Sequence, residues 1–428
     1  MIYVRMELIL VKGGKWMMRS VGVVVEYNPF HNGHLYHIQS AKQLSQSDIT
    51  IAVMSGNFLQ RGEPALVSKW ARTKMALHAG VDIVIELPYA FAVQQAETFA
   101  FGSVYILDAL KCNGICYGSE SGDVNHFVST YTFLEQHRDS YEHYIRTFIK
   151  EGVSYPTALA KAFDKLQPHK DMIDLSKPNN ILGYHYYAAA KRLHSSLDFY
   201  TVKRKNAEYH DQDFSNATIA SATSIRKALQ QNGNLSDVEP YLPKSTTFEL
   251  ESYHANYGQF HDWEVYWPLL QYQLFSHNET SLREIYEVEE GIENRLLRAA
   301  KSANSFETFM QIIKTKRYTW TRLQRMCVHI LTNTPKSFIH SLGETPSYAR
   351  LLGMSEAGRV YLNQIKKEIE IPLVSKVSAF DNEMIQLDVK AANVYATGLN
   401  EPYKSKLLKQ EFAQPPVYLK ERGLNKIM

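Results

Sequence analysis

The stretch from Val21 to His34 constrains this chain more than any other. Val21-Gly-Val-Val-Val25 is a continuous, largely β-branched run, the pattern of a parallel strand buried on both faces. Asn28-Pro29-Phe30 breaks it, and an amphipathic helix is expected to begin near Gly33. A buried strand feeding a tight turn and a helix N-terminus is half of a βαβ unit. Ligands of open parallel sheets sit beyond the carboxyl ends of the strands, which is where this turn falls.

The first half continues the alternation. Further strands are expected over 49–54, 81–87, 115–118 and 199–203, with helices over 69–78 and 94–110. That order implies a parallel, doubly wound sheet. From about residue 240 the strand signals fade, and helical spacing runs through 263–286, 292–303, 306–313 and 321–332. Residues 369–428 alternate more strongly, at Ile371, Leu373 and Val374 and again at Ile385, Leu387 and Val389, as in a small α/β cap. The expected fold is therefore α/β: a Rossmann-like unit over 18–240, followed by a mostly helical domain over 241–428. Residues 1–17 read as an extension ahead of the true start, or as a flexible arm, with an extra edge strand as the alternative.

Composition removes several classes. Lys and Arg total 47 against 44 Asp and Glu, a net +3 that argues against an indiscriminate polyanion binder but leaves room for a local basic face. Three cysteines are too few for a disulfide framework, and Cys112 and Cys116 lack a second pair for zinc, so no metal site of the protein's own is expected. No apolar window reaches the length of a membrane span, and a cytoplasmic location is expected.

His31-Asn32-Gly33-His34 follows the first strand and opens the first helix. Gly33 lets backbone approach a phosphate, the helix N-terminus presents free N–H groups, and the two imidazoles can donate to phosphate oxygens. Positive, preorganised donors facing a departing pyrophosphate are what nucleotidyl transfer requires. With this placement the sequence resembles the HxGH nucleotidyltransferase superfamily, of Rossmann-like fold. Ile219-Ala-Ser-Ala-Thr-Ser-Ile-Arg226 is similar to the superfamily's late phosphate-binding element, with Ser221, Thr223 and Arg226 as donors.

Longer matches narrow the resemblance. Val24-Val25-Glu26-Tyr27-Asn28-Pro29-Phe30-His31-Asn32-Gly33-His34-Leu35-Tyr36-His37, Ser55-Gly-Asn-Phe-Leu-Gln-Arg-Gly-Glu-Pro64, Ser68-Lys-Trp-Ala-Arg72, Val84-Ile-Glu-Leu-Pro88, Pro178-Asn-Asn-Ile-Leu-Gly183 and Tyr209-His-Asp211 together resemble the tRNA(Met) cytidine acetate ligase family. Lys316 to Arg325 and Ala349 to Gly353 extend the likeness into the second half. The resemblance implies that ATP and acetate give acetyladenylate and pyrophosphate. The acetyl group then passes to N4 of the wobble cytidine of elongator tRNA(Met). It also implies ATP contacts from every residue of Val24 to His37 and from Gly102, Asn180 and Arg204, with Mg²⁺ arriving on the nucleotide. Lys205 to Glu208 depart from the glycine-containing pattern expected before Tyr209.

Other residues carry two readings each. Arg61, in the 55–63 loop, would neutralise carboxylate or phosphate charge and is taken as catalytic with His31 and His34. Lys69 and Arg72 fit either a cationic wall or ordinary surface charge; Glu26 fits a loop anchor or a substrate contact. Gly118-Ser-Glu120 could be a turn or face the adenosine, and His210-Asp211 a structural bond or a catalytic pair. Residues 290–325 hold a local excess of five positive charges, with Tyr318 and Trp320 interleaved, and 404–426 an excess of four. Lys314, Lys316, Arg317, Arg322 and Arg325 are the expected tRNA contacts, with the acids of 284–293 grouped apart from them. A small-molecule adenylating enzyme and an RNA-binding protein that holds ATP structurally are the competing functions.

Overall fold

The computed structural model describes residues 17–204, 220–232 and 234–420. The segments 205–211 and 421–426 invoked above, and nearly all of the N-terminal extension, lie outside the described residues.

Eight strands build one sheet: β1 (Ser20–Val25), β2 (Ile49–Ser55), β3 (Ile83–Leu87), β4 (Gly114–Ser119), β5 (Asp198–Lys203), β6 (Ala349–Ser355), β7 (Leu373–Val374) and β8 (Val417–Leu419). Their order is β5-β4-β1-β2-β3-β6-β7, with β8 also on β6. The first five are parallel, as the alternation requires. Every residue of β2 and β3 is buried. Helices cover both faces, so these strands read as unbroken apolar runs. Each fully buried Val or Ile contributes roughly 1.5–3 kcal/mol.

The helices that matter below are α1 (Asn32–Ser45), α2 (Lys69–His78), α3 (Ala96–Ala109), α4 (Pro178–Arg192), α5 (Ala222–Asn232), α6 (Trp263–Ser276), α7 (Ile292–Ser302), α8 (Phe306–Ile313), α9 (Trp320–Leu331), α10 (Glu383–Ala396) and α11 (Tyr403–Ala413). The chain leaves β1 toward β2 on one side and meets β4 on the other. The crevice beyond the β1 and β4 carboxyl ends is therefore the topological switch point.

The second half differs from expectation. β6 pairs antiparallel with β3, Ile83 against Met354 and Glu86 against Arg350, so residues after 240 extend the sheet itself. β7 and β8 join β6 in parallel, and the Ile385–Val389 alternation lies within α10. A short strand covered on both faces and a half-buried helix leave the same apolar trace in one sequence.

Lys69 and Arg72 are both buried and neither lines the cleft, so they are neither ordinary surface charges nor a cationic wall of the site. Lys69 Nζ lies 2.8 Å from both Glu86 Oε1 and Glu411 Oε1, and Arg350 Nη1 is 2.6 Å from Glu411 Oε1 and 3.2 Å from Glu86 Oε2. Burial works against the charge on Arg350, but Glu411 and Glu86 outweigh it and raise its pKa. Isolated buried ions would be untenable, and four mutually paired ones persist. Arg72 instead donates to backbone: to Glu26 O at 2.7 Å, to Ser55 O at 3.0 Å and to Gly56 O. It ties the ends of β1 and β2 together beneath the crevice.

Candidate active site

Glu26 and Tyr27 leave β1 at the sheet's carboxyl edge. Tyr27 sits in the left-handed region at φ 50°, a conformation that costs a non-glycine residue on the order of 1–3 kcal/mol. The turn is held by Asn28, whose Oδ1 accepts from Leu66 N at 2.7 Å, and by Arg226, whose Nη1 donates to Asn28 O at 2.9 Å. The second Arg226 nitrogen pairs with Glu63 at 2.8 Å.

His31 caps α1. Its Nδ1 accepts from Gly33 N at 3.0 Å, and His34 Nδ1 accepts in return from His31 N at 3.3 Å, a capping box built from two imidazoles. The rings stack with centroids 3.7 Å apart. Because both Nδ1 atoms accept, each neutral ring carries its hydrogen on Nε2. Burial, then Arg204 and Arg226, lowers the His31 pKa to about 3; burial, then His31, His37 and Arg204, depresses His34. The expectation of positively charged imidazole donors is thereby corrected: they are neutral N–H donors, oriented by the helix they cap.

A cleft of about 310 Å³ opens at the switch point. Val24, Val25, Glu26, Tyr27, Asn28, His31, Gly33, His34, Tyr36, His37, Arg61, Arg204, Ser221, Thr223 and Arg226 all line it. The N-terminus of α5 faces the same space as that of α1, and Ser221 Oγ accepts from Ser224 N at 3.1 Å. Two helix N-termini on one cleft make a strong anion site. Residues 18–411 match the HIGH Nucleotidyl Transferase family. A protein of Geobacillus sp. (strain WCH70) named tRNA(Met) cytidine acetate ligase is 52% identical over 94% of this chain and 100% of its own length. The protein of that name from Bacillus subtilis (strain 168) is 47% identical over 94% of this chain and 97% of its own. The chain belongs to the tRNA(Met) cytidine acetate ligase family.

Among solved structures, the crystal structure of Thermotoga maritima TmcAL bound with alpha-thio ATP superposes with TM-score 0.85 at 33% identity, over 94% of this chain and all of that one. The apo form of the same protein gives TM-score 0.86 at 34% identity, with the same coverage.

Not every residue named from the ligase motifs lies in the cleft lining. Phe30 is buried and packs on Tyr27 and His34, and Asn32 Nδ2 donates to Pro240 O at 3.0 Å. Pro29 and Leu35 flank the lining residues without joining them, and a Cβ on Gly102 would come within 2.7 Å of Phe91. Asn180 is buried, its Oδ1 accepting from Glu120 N and Ser121 N, both at 3.1 Å, while its neighbour Asn179 lines the cleft. Glu120 accepts from Asn180 N at 2.8 Å and seats α4, whereas Gly118 lines the cleft. Leu182 of the Pro178–Gly183 motif forms an apolar wall with Phe99, Tyr117 and Tyr186, which were not singled out in the sequence. Phe99 and Tyr186 occupy helix positions that look like ordinary core in sequence.

Glu26 both anchors and faces the ligand space: its Oε1 accepts from Gln60 N at 2.7 Å. Burial raises its pKa, opposed first by Arg61. Four buried polar atoms around the cleft have no partner among the described residues: Tyr27 Oη, Asn28 Nδ2, His37 Nε2 and Tyr117 Oη. The loop carrying Arg61 rests on the second half of the chain. Gly62 adopts φ 74° against the α9 backbone, where a Cβ would meet Arg325 N at 2.2 Å, and Trp263 Nε1 donates to Gly62 O at 2.9 Å.

The basic segment is not set apart from the acids. Arg325 Nε lies 2.8 Å from Glu287, Arg322 reaches Glu289 and Glu290 at 3.5 and 3.8 Å, and Arg317 reaches Glu290 at 3.7 Å. Lys314 and Lys316 are exposed, and Tyr318 is buried beneath Arg322.

Proposed function

We propose that this chain is an ATP-dependent ligase that converts acetate to acetyladenylate and transfers the acetyl group to N4 of the wobble cytidine of elongator tRNA(Met), forming N4-acetylcytidine. The observation that carries this reading is the pair of helix N-termini, with the stacked His31 and His34, facing one cleft at the switch point. The names of the relatives and the ATP analogue in the Thermotoga structure support it.

In the first step an acetate oxygen attacks the α-phosphorus and the bond to pyrophosphate breaks. Charge gathers on the departing pyrophosphate, where the positive ends of α1 and α5 face the cleft and the Nε2–H of His31 and His34 offer donors. Arg61, Arg204 and Arg226 add fixed positive charge along the same cleft. Among the described residues no group of three or more His, Cys, Asp or Glu could hold a metal ion, so Mg²⁺ would come on the ATP phosphates.

In the second step N4 attacks the acetyl carbonyl, AMP leaves, and the amine proton needs an acceptor. His31 and His34 cannot take it while both Nδ1 atoms cap α1. Glu26, held by Gln60 N inside the cleft, takes it. Lys314, Lys316, Arg317, Arg322 and Arg325 belong to the tRNA-facing half, with Lys314 and Lys316 as direct phosphate contacts and Arg325 as a support held by Glu287. The tRNA substrate puts the reaction in the cytoplasm, and no helix of the described residues is long and apolar enough to cross a membrane.

Incubation with ATP and radiolabelled acetate tests the first step. Acetyladenylate should form, and His34→Ala should lower its formation about 10²–10³-fold. An acetate-independent cleavage of ATP would contradict the assignment.

A further inference from the structure

The helical half exposes two large aromatic side chains on one helix face. Tyr272 is 68% exposed and Phe275 is 54% exposed, three residues apart on α6 and so on the same side. Neither packs a core, and the remainder of α6 does that work through Trp263, Tyr266, Trp267, Leu270 and Leu274. Their distance from the cleft follows from the helix. α6 starts at Trp263, which holds Gly62 beside Arg61, and at 1.5 Å per residue Tyr272 and Phe275 lie roughly 14 and 18 Å further along the axis.

The helix packed beside this pair carries exposed cations. Gln271 Nε2, one residue before Tyr272, donates to Ala300 O at 2.9 Å and weakly to Ala303 O at 3.4 Å, laying α6 beside the end of α7. α7 exposes Arg298 and Lys301, which form no ion pair among the described residues. At its other end Arg295 Nε donates to Ile313 O at 3.1 Å, and the exposed Lys314 and Lys316 follow directly, again without an acidic partner among the described residues. Arg317, Arg322 and Arg325, by contrast, are already engaged by Glu287, Glu289 and Glu290. Within 290–325 the charge without an acidic partner among the described residues therefore lies along α7 and at Lys314 and Lys316, and the end of α7 packs beside α6.

We infer that Tyr272 and Phe275 form a stacking platform for unpaired RNA bases, with Arg298, Lys301, Lys314 and Lys316 holding the neighbouring phosphates. The inference rests on the reading that RNA is the substrate. An apolar protein partner would have no use for four uncompensated cations at the margin. A duplex would use the cations but offer no base faces to the rings, whereas a looped single strand uses both.

The test measures binding of a short hairpin RNA with a cytidine-containing loop, and of a blunt duplex with the same stem, to the full chain. Tyr272→Ala/Phe275→Ala should weaken hairpin binding about 10-fold or more and leave the duplex within about twofold. Tyr272→Trp/Phe275→Trp should restore the hairpin. Acetate-dependent adenylate formation should match the parent in both variants, which also reports that they fold. Unchanged hairpin binding, or equal loss for hairpin and duplex, would overturn the platform. A parent dimer that becomes a monomer in the alanine variant, with RNA binding intact, would make this face a contact between copies and would likewise overturn it. A parent chain that binds neither RNA would instead bring down the substrate reading beneath it.

Discussion

Two regions of this molecule bury polar groups in opposite ways. On the β3–β6 side of the sheet, Lys69, Glu86, Arg350 and Glu411 remove four charges from water and satisfy one another. At the carboxyl edge of β1, Tyr27, Asn28, His37 and Tyr117 bury polar atoms with no partner among the described residues, beside a strained Tyr27 and two imidazoles held neutral. The first arrangement is what a fold needs to carry charge inside. The second stores unpaid desolvation where a ligand can relieve it. Residue type alone does not separate them; partnership does.

The contrast can be broken by mutation. Lys69→Ala should cost about 3–5 kcal/mol of stability, because it leaves two buried carboxylates, Glu86 and Glu411, to share the single charge of Arg350; chemical denaturation measures it. The fraction that remains folded should still form adenylate. His34→Ala should do the reverse, lowering adenylate formation about 10²–10³-fold. Its cost in stability, from the lost capping box, should be only about 1 kcal/mol in the same denaturation assay. If the two variants exchanged phenotypes, the division into structural and functional clusters would fail.

A smaller effect is expected at the join between the halves. Gly62→Ala adds a Cβ against Arg325 N at a left-handed φ, and should cost on the order of 1–3 kcal/mol while slowing adenylate formation through Arg61. The remaining test is pH. Burial first, and Arg204 after it, lowers the His31 and His37 pKa values to about 3 and 4, and burial alone lowers His261 to about 3. An unfolded imidazole titrates near 6.5. Below that the unfolded chain binds protons that the folded chain refuses, so stability should fall as pH drops from about 6.5 toward 4 and stay level above 7. Thermal melts across that range check the sign.

Much of the cleft was legible in the sequence because local chemistry placed it. The Val21–Val25 run, the break at Pro29 and the His31–His34 spacing define strand, turn and helix start within fourteen residues, Val21 to His34. The partnerships were not legible. Arg350 meets Glu86 only because β6 inserts beside β3, more than 260 residues along the chain, and Arg322 meets Glu289 only after α9 has packed. Charge counting over 290–325 therefore could not tell Arg317, Arg322 and Arg325, which the fold pairs with acids, from Lys314 and Lys316, which it leaves exposed, and it passed over the exposed rings on α6. The imidazole charge was misread for the same reason: residue type suggests a cation, and burial removes it.

The most direct test of the central claim is mass spectrometry of nucleosides from elongator tRNA(Met) incubated with the chain, ATP and acetate. The account predicts N4-acetylcytidine at the wobble position, dependent on all three and absent with His34→Ala. Acetyladenylate accumulating with the tRNA left unmodified would contradict it and return the site to small-molecule chemistry.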